Sequence, residues 1–189
     1  MKRLPVVIST LFIFILIACN DVEDFFRGPV DPLIDREVVE SQDYDLTTPF
    51  YGMQVAIDPG VNAGDQHVLD LLDNRAEEFL NCQFGDSQIG FEDFPLDGTV
   101  VPPLSELRVY VVPNRFECEA VDRSVCGGIY FFDIDAIVIS EGGFEGCGEF
   151  SVWKHELAHR YGLNADHSNQ SDFDACSKPQ SCDPGNIFD

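Results

Sequence analysis

Residues 152–162 read Val152-Trp153-Lys154-His155-Glu156-Leu157-Ala158-His159-Arg160-Tyr161-Gly162. From Val152 to Tyr161 there is neither Gly nor Pro, and Gly162 supplies a stop, so the stretch predicts a helix of about three turns. On a helix His155 and His159, four residues apart, project from one face, one above the other. Two imidazoles in that arrangement bind a single zinc ion. Glu156 is too close to His155 in sequence to be a comfortable third ligand. Its carboxylate can reach a water held by the metal, which is where a general base must stand. A zinc site that only fixes a fold is closed by four protein ligands and has no use for that carboxylate.

The longer stretch HELAHRYGL, followed by Asn164-Ala165-Asp166-His167, resembles the metzincin clan of zinc peptidases. In that clan a glycine three residues after the second histidine, here Gly162, turns the chain sharply and brings in a third ligand. The clan's pattern puts that ligand at Ala165. The resemblance therefore implies a two-residue insertion with His167 as the ligand, and Asp166 is the alternative because some relatives use an aspartate. Asp183-Pro184-Gly185-Asn186-Ile187-Phe188 resembles the tight turn beneath the metal, with Phe188 where the clan has methionine. The fold so implied is α+β: a twisted mixed β-sheet, a backing helix and an active-site helix carrying His155, Glu156 and His159. Zinc on His155, His159 and His167 with one open position, Glu156 as general base, and protein or peptide substrates are the matching functional expectations. An edge strand commonly positions the peptide in such enzymes, and the sequence does not single that strand out.

Upstream elements fit such a fold. Met53 to Ile57 is a short apolar strand stopped by Asp58-Pro59-Gly60. Asp65 offers a helix N-cap, and Val68, Leu72, Ala76 and Phe79 recur at helical spacing, widened by Leu69 and Leu80, until Gly85. His67 has no second ligand one turn away and reads as a surface residue. Leu107 to Val112 predicts a buried strand ended by Pro113. Ile129 to Phe132 and Ala136 to Ile139 predict two more around Asp133-Ile134-Asp135. These aspartates read as a solvated hairpin turn, since the Gly and closing Glu of a calcium loop are missing.

The N-terminus has the parts of a secretory signal: Lys2 and Arg3, an apolar run from Leu4 to Ile17, and Ala18. Leu16-Ile17-Ala18-Cys19 resembles the lipobox of bacterial lipoproteins, which implies cleavage before Cys19, lipid on its sulfur, and membrane attachment on the extracytoplasmic side of the cell envelope. Asn20, in place of an aspartate, points to the outer membrane or cell surface. Residues 19–50 hold many acidic side chains and no sustained apolar period, and read as a tether ahead of one domain at 51–189. The formal charge is −23, so nucleic acid is excluded as a partner of the domain. With Cys19 set aside, Cys82, Cys118, Cys126, Cys147, Cys176 and Cys182 suit an oxidising compartment. Six cysteines pair in about fifteen ways. The short loops favour Cys118 with Cys126 and Cys176 with Cys182, leaving Cys82 for Cys147. Zinc-dependent endopeptidase is the leading functional expectation. A non-catalytic surface lipoprotein with a structural zinc and a metal-free binding module are the alternatives.

Overall fold

Valines and isoleucines on both faces of a strand demand cover on both sides, which a central position in a sheet with parallel pairing provides. Two segments meet that condition, β4 (Arg108–Val112) and β8 (Ala136–Ser140), and they pair in parallel. The computed structural model describes residues 29–85, 102–120, 123–141 and 149–177. Its main sheet runs β2 (Leu46–Thr47), β3 (Gln54–Ile57), β4, β8, β7 (Gly128–Phe131). The inner strands β3, β4 and β8 are parallel, whereas β2 and β7 are antiparallel to their neighbours. A smaller sheet has the order β1 (Val30–Asp31), β5 (Arg115–Ala120), β6 (Arg123–Cys126). Both sheets mix parallel and antiparallel pairs, so the α+β class and mixed sheet expected from the sequence hold.

Alternation along the strands divides the core in two. Val55, Val109, Val111, Ile137 and Ile139 face helices α2 (Asp65–Phe84) and α3 (Glu149–Arg160), where Leu72, Phe79, Trp153 and Leu157 complete one cluster. The buried Trp153 indole donates to Leu72 O at 3.3 Å, tying the two helices together. The backing helix has the expected span and ends at Gly85, which has φ +77°. Its cap is Gly64 and not Asp65; Asp65 lies inside the first turn, where a negative charge suits the helix dipole.

The second face carries Ala56, Tyr110, Val112, Ala136 and Val138, and it is covered by residues expected to be a tether. Ile34 and the fully buried Val39, from helix α1 (Arg36–Glu40), pack there, and Ile34 N donates to Glu117 O at 3.1 Å. Residues 29–50 therefore belong to the domain, and its boundary moves toward the N-terminus. A sheet with two apolar faces needs two covers, and helices α2 and α3 supply only one. The signal peptide, Cys19 and the first part of the tether lie outside the described residues.

Cys118 is bridged to Cys126 within the β5–β6 hairpin, as the short loop suggests. Cys176 is bridged to Cys82 and not to Cys182, which also removes Cys82 from Cys147. The last turn of α2 brings Cys82 to helix α4 (Asp174–Ser177), with the two Cα atoms 5.6 Å apart. Spatial packing, not loop length, chose that pair.

Candidate metal centre

Helix α3 is fixed by its apolar side. Trp153, Leu157 and Ala158 are buried against the sheet and α2, which leaves His155 and His159 half-buried at the helix margin. The helix closes on Gly162, where φ is +108°, a value glycine adopts without strain. Leu163 N then donates back to Ala158 O at 2.8 Å, and the buried Leu163 side chain anchors the turn. His159 Nδ1 lies 2.9 Å from Leu163 O. With the proton on Nδ1 donated to that carbonyl, Nε2 keeps its lone pair for a metal. Burial, foremost, and the neighbouring His167 push the His159 pKa below its ordinary value, against the opposing pull of the Leu163 carbonyl.

From Leu163 the chain loops back, and His167 arrives over His155. His155 Nε2 lies 3.2 Å from His159 Nε2 and 3.0 Å from His167 Nε2. Possible ligand atoms of all three histidines lie within 4.8 Å of one another. Zinc–nitrogen bonds of about 2.0–2.1 Å in a tetrahedron separate ligand nitrogens by roughly 3.3 Å. The spacing from His155 thus matches zinc, as does an all-imidazole set with no carboxylate in it. His167 has φ +56°, a left-handed backbone that costs a non-glycine residue about 1 kcal/mol and that histidine tolerates better than most.

Asp166 is directed elsewhere. Its Oδ1 accepts from Ser168 N at 3.0 Å, which also lowers its pKa, and it is outside the histidine cluster. His67 is exposed on α2 and equally apart from it. Glu156 is buried beside the histidines with 7% of its surface exposed. Its Cγ faces Gly128 of β7, the last strand of the sheet among the described residues, so closely that a Cβ on Gly128 would stand 3.1 Å from it. Phe188 and the turn at 183–188 lie outside the described residues.

The sequence did not disclose what braces the helix from behind. Arg160 is buried and donates from Nε and Nη2 to the two Asp135 oxygens at 2.8 and 2.9 Å. Its Nη2 also reaches Pro102 O at 2.7 Å, and Tyr130 Oη donates to Asp135 Oδ1 at 3.1 Å. Asp135 was expected in a solvated turn; the turn exists, but this aspartate is half-buried as the counter-ion of Arg160. The only signal in the sequence was an arginine inside an otherwise apolar helix end. Asn169 was also missed, although its amide bonds both Gly162 O and Asn164 N.

Comparison with known proteins finds no family model, no curated protein and no solved structure that matches the chain.

Proposed function

We propose that this chain is a zinc-dependent endopeptidase of metzincin-like architecture, attached by lipid on Cys19 to the outside of a bacterial cell envelope. One observation carries the catalytic part: His155 Nε2 lies at zinc-ligand spacing, 3.2 and 3.0 Å, from His159 and His167 Nε2, the three imidazoles gather ligand atoms within 4.8 Å, and a buried glutamate follows the first of them in sequence. His155, His159 and His167 would hold the ion, and three protein ligands leave a position open, as catalytic zinc requires. Zinc, when bound, supplies a Lewis acid that acidifies water and polarises a carbonyl. The Glu156 carboxylate takes a proton from the attacking water and delivers it to the nitrogen of the leaving amine. Leu163 O holds His159 in the tautomer that presents Nε2. Strand β7, last in the sheet order among the described residues and in contact with Glu156 at Gly128, suits an extended peptide added as a further strand.

The test is Glu156→Gln, which keeps the side chain's shape. The expected outcome is full zinc content and a fall in peptide hydrolysis by about two to four orders of magnitude, the usual share of a positioned acid or base. Unchanged hydrolysis refutes the mechanism, and a parent protein inactive on a mixed peptide library turns the reading to a non-catalytic zinc lipoprotein. Anchoring rests on the Leu16-to-Cys19 pattern, and the two disulfides agree with an extracytoplasmic setting. Cys19→Ser should abolish lipid labelling and release the protein from membranes; persistent labelling contradicts the lipobox.

A further inference from the structure

We propose that Asn169 is the positioning residue for the third metal ligand, its side-chain amide closing the loop that delivers His167. The proposal rests on the reading of His155, His159 and His167 as a zinc site. His167 is exposed and its ring meets those of His155 and His159, so no core packing fixes it, and its left-handed backbone carries a cost for a non-glycine residue. Hydrogen bonds must hold it. His167 N donates to Asn164 O at 2.8 Å and Gln170 N donates to His167 O at 3.0 Å, so the ligand's own peptide groups are fixed relative to Asn164 and Gln170. Nothing in those two bonds attaches the loop to the helix that carries the other ligands.

Asn169 makes that attachment. Its Oδ1 accepts from Asn164 N at 2.8 Å, and its Nδ2 donates to Gly162 O at 2.9 Å. One planar amide thus joins the residue after His167's neighbour Ser168 to both sides of Leu163, at the point where the helix ends. Asn164 Nδ2 adds a bond to Ser168 Oγ at 2.8 Å across the same loop. The task requires a donor and an acceptor on one short side chain, which is an asparagine specification. His159 touches the same peptide unit, since Leu163 O beside its Nδ1 and the Asn164 N held by Asn169 belong to one peptide group, but the burial of Leu163 and the bond from its N to Ala158 O hold that unit as well. Loss of Asn169 therefore acts chiefly through His167, whose loop has no such second hold.

The experiment measures zinc affinity by chelator competition for the parent, Asn169→Ala, His167→Ala and the double variant, with the visible spectrum of each cobalt-loaded protein. Expected is zinc binding weakened about 10- to 100-fold in Asn169→Ala, the range for residues that orient a ligand. Its cobalt spectrum should move toward that of His167→Ala. In the His167→Ala background, adding Asn169→Ala should change affinity by less than about threefold, since the ligand it positions is gone. Equal losses in both backgrounds, or parent-like affinity in Asn169→Ala, overturn the proposal. Should Asn169→Ala fail to fold, Asn169→Asp decides: it keeps the acceptor, lacks the donor to Gly162 O, and should bind zinc more weakly than the parent, a parent-like value being contrary. A parent that takes up no zinc overturns the metal reading and this proposal together. A parent that binds zinc beside a parent-like Asn169→Ala overturns only the latter.

Discussion

Gly128 lies where β7 meets helix α3, and a side chain added there would force its neighbours to shift. A Cβ would come within 2.5 Å of Val152 Cγ1 as well as 3.1 Å of Glu156 Cγ. Gly128→Ala must therefore push back both residues, and overpacking of this kind costs about 1–3 kcal/mol. The consequence for chemistry is more specific, because a displacement of about 1 Å in a reacting group can cost on the order of a hundredfold in rate. Expected for Gly128→Ala is retained zinc stoichiometry with turnover reduced at least about tenfold. Zinc titration and initial rates on one peptide check it, and a fully active variant would separate β7 from the positioning of Glu156. At this scale the sequence was legible where chemistry depends on local spacing. His155, Glu156 and His159 share one helix, so a four-residue interval determined their relation. Gly128, Asn169 and Asp135 owe their roles to partners that the chain reaches only by folding back, and nothing adjacent to them in sequence announces it.

Among the elements, α2 and the central strands were readable because their burial is periodic. Val68, Leu72, Ala76 and Phe79 form one stripe, and β4 and β8 are apolar on both faces. Residues 29–50 were not readable, for a physical reason. Their strands have two residues each and their helix five, too short for any period to show. Asp35 caps α1 through Val38 N at 3.0 Å, a short-range signal that acidic composition concealed. What makes the segment structural is Val39, buried against the sheet face opposite helix α3. The β7–β8 hairpin, whose turn was read as solvated, is likewise joined to α3. Asp135 at its turn neutralises Arg160, whose side chain is 1% exposed, so the helix end that bears His159 is held from both sides. Breaking such a pair from one side leaves a buried charge unpaired, which is why this bond fixes the helix more firmly than a surface ion pair does.

For the whole molecule, the decisive covalent link is Cys82–Cys176, which spans 94 residues. The cysteine count and the export signal pointed to disulfides, but choosing partners requires knowing that α2 ends beside α4, which no spacing rule contains. Closing so long a loop restricts the unfolded chain strongly, by about 2–4 kcal/mol in typical measurements. The segment so anchored follows the His167 loop directly, and Gln83 Nε2 adds a bond to Asp172 O at 2.9 Å in the same place. The bridge therefore bears on the proposed zinc site as well as on stability. Replacing both cysteines with serine should lower the unfolding free energy by about 2–4 kcal/mol, which for a domain of this size moves the midpoint by roughly 5–15 °C. Zinc affinity should fall in the same variant, because the His167 loop would then be held by the Asn169 clamp without the covalent anchor behind it. Peptide mapping without reductant identifies the bridge, thermal scans with and without zinc give the stability, and chelator competition gives the affinity. Lower stability with unchanged zinc affinity would show that the Asn169 clamp suffices to hold His167, and that the disulfide serves the fold and not the metal.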